Sequence, residues 1–136
     1  MCTFLDILFH FFLPDFVCLV PGAPPELVKA YAESSTSIRV VWQPPPENKR
    51  NGAITYYKLF YVPSSRQDSE ATVVEIKNPD TREFVVDELR KFSEYRIWML
   101  AGTQIGDGPV SYPILVKTDE DGTYNNRKKN RVSAMF

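Results

Sequence analysis

The side chains able to do covalent or metal chemistry are few and poorly placed for it. The 136-residue chain holds one histidine, His10, and two cysteines, Cys2 and Cys18, all within the first twenty residues. No Cys-x-x-Cys spacing and no disulfide framework can be drawn from two cysteines so placed. A serine or cysteine nucleophile needs a base within hydrogen-bond reach, and no imidazole follows residue 10. An acyl-transfer triad or a histidine-based zinc site therefore cannot be assembled in the patterned region that begins near residue 21. Nor does a nucleophile–base pair of another kind stand out. These residues point away from an enzyme and from any cofactor or small-molecule substrate.

What remains is non-covalent recognition. With 16 basic and 17 acidic residues the formal net charge is -1, which gives no electrostatic case for nucleic acid. The one basic run, Arg127-Lys128-Lys129-Asn130-Arg131, is short and has no aromatic stacking platform beside it, so it reads as a solvated tail. Aromatic residues are abundant instead, and their use depends on the elements that carry them.

The clearest element is the run from Tyr95. Tyr95, Ile97, Met99 and Ala101 alternate with Arg96, Trp98 and Leu100, the period of a strand with one face on a core, and Gly106-Asp107-Gly108-Pro109 ends it with turn chemistry. A leucine six residues earlier, Leu89, followed by a tyrosine that opens a strand, is the lead-in to a tyrosine corner. There a buried ring spends its hydroxyl on a backbone group slightly upstream. Six further short strands are expected: 26–32, 37–43, 54–61, 73–77, 83–86 and 111–118. Pro44-Pro45-Pro46, Asn51-Gly52, Ser64 to Glu70 and Asn78-Pro79-Asp80 punctuate them. Seven short strands with frequent turn signals and no helical period predict an all-β, two-sheet antiparallel sandwich.

Domain boundaries follow the same pattern. Residues 1–20 are apolar but broken by Asp6, His10, Pro14 and Asp15, a poor membrane span, with no basic region ahead of the apolar run. They read as a signal-like leader or as sequence foreign to the module. Residues 21–121 form the domain, and residues 122–136 a disordered basic tail.

These features together resemble the fibronectin type III family. They comprise the proline-rich start, Trp42 in the second strand and Gly52-x-Ile54-x-x-Tyr57-x-Leu59-x-Tyr61 in the third. Leu89 then precedes Tyr95, Tyr95-x-Ile97-x-Met99-x-Ala101 forms the sixth strand, and Gly106-x-Gly108-Pro109 leads to Ser111-x-Pro113 and Thr118. The wording is most similar to repeats of leukocyte-antigen-related receptor tyrosine phosphatases, netrin receptors, Dscam and sidekick. The resemblance implies a seven-stranded immunoglobulin-like sandwich and a non-catalytic protein-binding or structural module. It implies an extracellular setting or the ectodomain of a plasma-membrane protein, with neighbouring repeats or cell-surface and matrix ligands as partners. Val20-Pro21-Gly22-Ala23-Pro24-Pro25 and Thr118-Asp119-Glu120-Asp121 look like the two halves of a repeat-to-repeat junction, which suggests one module cut from an array. An intracellular muscle scaffold module, or a domain appended to a receptor phosphatase, is the alternative. A cytokine-receptor domain is disfavoured, for it needs disulfides and a Trp-Ser-x-Trp-Ser box.

The same resemblance pairs the third and sixth strands in one sheet. Their outward residues, Tyr56, Lys58 and Phe60 with Arg96, Trp98 and Leu100, then make a candidate protein-contact face, with Lys58 or Arg96 expected over an exposed Trp98. Trp42, Tyr57, Leu59, Leu89, Tyr95, Ile97 and Met99 are the expected structural core, with Phe84, Val86 and Ile114 beside them. Two loops weigh less. Gln104 to Gly108 stands where one fibronectin repeat displays an integrin-binding Arg-Gly-Asp, but Ile105 replaces the arginine. Glu47 to Asn51 is a charged tip of the kind any sandwich exposes.

Overall fold

The computed structural model describes residues 19–120, and the expectations for the leader and the basic tail lie outside them. Seven strands form: β1 (Glu26–Ala32), β2 (Ile38–Gln43), β3 (Tyr56–Pro63), β4 (Thr72–Ile76), β5 (Glu83–Val86), β6 (Glu94–Gly102) and β7 (Ile114–Lys117). They build two antiparallel sheets, β1-β2-β5 and β4-β3-β6-β7. Short 3-10 turns at Glu47–Lys49 and Asp68–Glu70 fill two of the polar connections. This is the sandwich that the alternation predicts.

Period-two patterning sets which residues meet between the sheets. Ile38, Val40 and Trp42 from β2 face Tyr57, Leu59, Ile97 and Met99 from the other sheet, all fully or almost fully buried. Leu89 and Tyr95 are buried with them, so every expected core residue lies in one cluster. Val86 is buried too, whereas Phe84 and Ile114 are only partly covered at its margin. Trp42 and Tyr57 join the two sheets through tilted rings 5.5 Å apart.

The tyrosine corner forms: the Arg90 amide N–H donates to Tyr95 Oη at 3.0 Å. Beside it the Thr118 hydroxyl accepts the Ser93 N–H at 2.9 Å and donates to Arg90 O at 2.7 Å. The third strand begins at Tyr56 rather than Ile54, because Asn51 (φ 55) and Gly52 (φ 144) curl the chain just before it. The last strand is shorter than expected. Pro109 and Pro113 have no N–H to give a ladder, so 108–113 follows β6 only through scattered bonds.

Candidate protein-contact face

β3 and β6 are the two central strands of the four-stranded sheet, in register from Tyr56↔Gly102 to Pro63↔Tyr95. Their inward residues fill the core, so the alternate set must face outward. Phe60 and Trp98 lie directly opposite each other, with ring planes 3° from parallel and centroids 5.5 Å apart. Such a cross-strand aromatic pair contributes about 0.5–1.5 kcal/mol beyond the area it buries. Both rings are half-buried, not fully exposed, because each covers the other.

A cation over Trp98, expected from the sequence, is not what forms. Lys58 Nζ sits 5.5 Å from the Tyr56 ring centroid and pairs with Asp107 Oδ2 at 2.9 Å. Tyr56 Oη donates to the other oxygen of the same carboxylate. Asp107, on the β6–β7 connection, is thereby drawn down onto the sheet face. A glycine makes this possible: a Cβ on Gly102 would fall 2.0 Å from Cζ of Tyr56, so the tyrosine ring lies where a side chain would be. On the opposite flank Arg96 Nη2 meets Asp68 Oδ1 at 2.6 Å, and Nη1 and Nη2 donate to Ser64 O at 3.0 Å and Arg66 O at 2.6 Å. Arg96 thus pins the β3–β4 connection.

Electrostatics follow from these partners. Burial pushes the Tyr56 phenol up, and the hydrogen bond to Asp107 with the nearby Asp107 and Glu75 charges carries it to about 12. Burial pushes Asp107 up as well, but hydrogen bonds from Tyr56 and Lys58 and the lysine charge outweigh it and hold the carboxyl below its ordinary value. Lys58 and Arg96 are thus each spent on a carboxylate, leaving an aromatic strip between two compensated pairs.

Leu100 differs from the expectation. It points outward by parity yet is 5 % exposed. Lys58 stands beside it on β3, and 108–111 runs along its other side, with the Gly108 and Ser111 amides bonded to Ala101 O and Met99 O. Leu100 supports the face and does not offer contact area. Two residues that the sequence reading missed extend the strip instead. Val73 on β4, opposite Phe60, is 49 % exposed, and Leu115 on β7, opposite Arg96, is 62 % exposed. Their parity was readable, but their neighbours depend on a register that alternation alone does not give.

Of the two loops weighed for contact, 47–51 keeps Glu47 and Lys49 exposed. Asp107 is engaged as described, and Arg50 Nε donates to Pro45 O at 2.7 Å. Among the described residues no group of three or more His, Cys, Asp or Glu converges as a metal site would, and no helix is long and apolar enough to cross a membrane.

Comparison with known proteins completes the picture. The fibronectin type III domain pattern matches residues 23–117. Tyrosine-protein phosphatase Lar of Drosophila melanogaster is 50 % identical over 102 residues, 75 % of this chain and 5 % of that protein. Protein sidekick-1 of Gallus gallus is 41 % identical over 102 residues, and cell adhesion molecule Dscam2 of Drosophila melanogaster 40 % over 104, each covering 75 % of this chain and 5 % of the relative. The chain thus spans about 5 % of the length of these relatives. Among solved structures, the FN5 domain of Drosophila Lar superposes with a TM-score of 0.58 at 36 % identity, covering 74 % of this chain and 98 % of that one. The fn3 domain of human contactin 1, at 22 % identity and a TM-score of 0.67 over 75 % of this chain and 82 % of that one, shares the fold.

Proposed function

Because the chain belongs to the fibronectin type III family, a family of non-catalytic modules, we propose that it is one protein-binding repeat of an extracellular, multi-repeat adhesion or guidance receptor. The observation that carries this reading is the 50 % identity to Lar across three quarters of the chain, in a stretch that is 5 % of that protein. Relatives described as receptors and cell adhesion molecules support the cell-surface setting. Partners are other proteins: neighbouring repeats, or ligands on cells and in the matrix. No cofactor enters the function.

Contact falls on the outer face of the four-stranded sheet. Apolar strips that carry tryptophan are favoured at interfaces, and desolvating Phe60, Trp98, Val73 and Leu115 removes no unpaired charge from water. Tyr56, Lys58 and Arg96 set the margins of this strip through their carboxylate partners, and Leu100 holds it from beneath.

The setting is tested by labelling intact cells that express the native gene with a membrane-impermeant biotin reagent, then capturing the product with an antibody to this module. A biotinylated product several-fold larger than the 136-residue chain is expected. An unlabelled intracellular product overturns the reading.

A further inference from the structure

We infer that Leu19–Gly22 is a built joint. It docks in a seat formed by the β2–β3 and β6–β7 connections and fixes the direction from which the polypeptide joins the sandwich. In doing so it withdraws those two connections from use as independent ligand-binding loops.

The hydrogen bonds are dense. The Leu19 N–H donates to Asn51 O at 3.0 Å, and Leu19 O accepts from Thr103 Oγ1 at 3.0 Å. Asn51 Nδ2 donates to Val20 O at 3.2 Å, and the Gly22 N–H donates to Lys49 O at 2.6 Å. Four bonds over four residues is the density of a strand edge, whereas a free linker leaves its backbone groups to water. Pro21, between them, is fully buried.

The seat is shaped for its occupant. A Cβ on Gly108 would lie 2.9 Å from both Pro21 Cβ and Ala101 O and 3.0 Å from Pro21 O, so glycine at 108 lets the β6–β7 connection close on the proline and on β6 together. On the other side Asn51 adopts the left-handed conformation that asparagine tolerates best among residues with a side chain. From there it turns both its carbonyl and its carboxamide to the segment. Thr103 is 2 % exposed, and its hydroxyl also accepts the Ile105 N–H at 3.3 Å, coupling loop and segment through one oxygen. The two connections are therefore bridged through Leu19–Gly22, and neither moves without breaking bonds to it. In the multi-repeat setting a repeat ahead of Leu19 meets this one at a set angle, a consequence that rests on the proposed function, whereas the joint does not.

Backbone 15N relaxation on the full chain tests it. The Leu19 and Gly22 amides should show order parameters of about 0.85, equal to Leu59 in β3, and values below about 0.6 in the wild-type chain would overturn the joint. In Thr103→Val, Leu19 should fall below about 0.6 while Leu59 and Ile97 keep theirs. An unchanged Leu19 would overturn the bridging role of the hydroxyl. Gly108→Ala, which evicts Pro21, should loosen Gly22 in the same way, and an unmoved Gly22 would contradict the seat. These outcomes do not depend on what the parent protein is, so the joint and the receptor reading can fail separately.

Discussion

Tyr95 is 4 % exposed, and its hydroxyl accepts the Arg90 N–H at 3.0 Å. Replacing it with phenylalanine keeps the ring in the core but leaves that amide without its acceptor. Tyr95→Phe should cost about 1–3 kcal/mol in urea unfolding, and an unchanged midpoint would contradict the corner. Tyr56 makes a different prediction, read by pH. Its phenol is raised to about 12, so the neutral form is favoured in the fold. Its stabilising contribution is fully present below the unfolded value of about 10 and is lost as pH rises through about 12. Asp107 has the opposite sign: its lowered pKa gives stability that is present above pH of about 4 and lost as pH falls through the folded value. The ultraviolet titration of wild type minus that of Tyr56→Phe should isolate a phenolate that forms near pH 12, and one that forms near 10 would contradict the burial of this phenol together with its Asp107 contact. The corner was legible in the sequence because a local spacing encodes it. The Tyr56–Asp107 contact was not, since it joins residues that are 51 apart through a register and a glycine gap.

At the scale of the strands, alternation placed all seven, because each is half-buried and repeats every second residue. It erred where side chains replace the ladder. Ser111 lies 7 % exposed in an irregular stretch between two prolines, yet its N–H donates to Met99 O at 2.7 Å and its Oγ accepts the Met99 N–H at 2.9 Å. One residue thus makes both bonds that a regular strand would have supplied. Ser111→Ala should cost about 1–3 kcal/mol by orphaning a buried N–H. It should also speed exchange of the Met99 amide more than that of Leu59, and equal protection in the two would contradict this role. The same irregular stretch covers Leu100, which is why parity alone assigned that residue to the contact face. Val73 and Leu115 were overlooked for the converse reason, since their exposure is set by edge strands whose neighbours alternation does not name.

For the whole molecule, the order of motifs carried the family, since each spacing is weak alone and the set is specific. The likeness to Lar, sidekick-1 and Dscam2 agrees with that reading. The partner is not written so plainly, because a sandwich face can serve packing or binding with the same residue types. Phe60 and Trp98 support each other across two strands, so the contribution to stability and the contribution to contact must be separated by measurement. The most direct separation compares wild type with Trp98→Ala for binding and thermal unfolding together. The probe is the immobilised module, exposed to surface-biotinylated membrane proteins. The expected result is a domain that still unfolds cooperatively, its Tm lowered by about 2–12 °C for the lost pairing of about 0.5–1.5 kcal/mol and somewhat further for the half-buried ring area removed, with at least about tenfold less labelled protein retained. A sharply lowered Tm with undiminished retention would show that the aromatic pair serves only the fold, and would contradict the contact face.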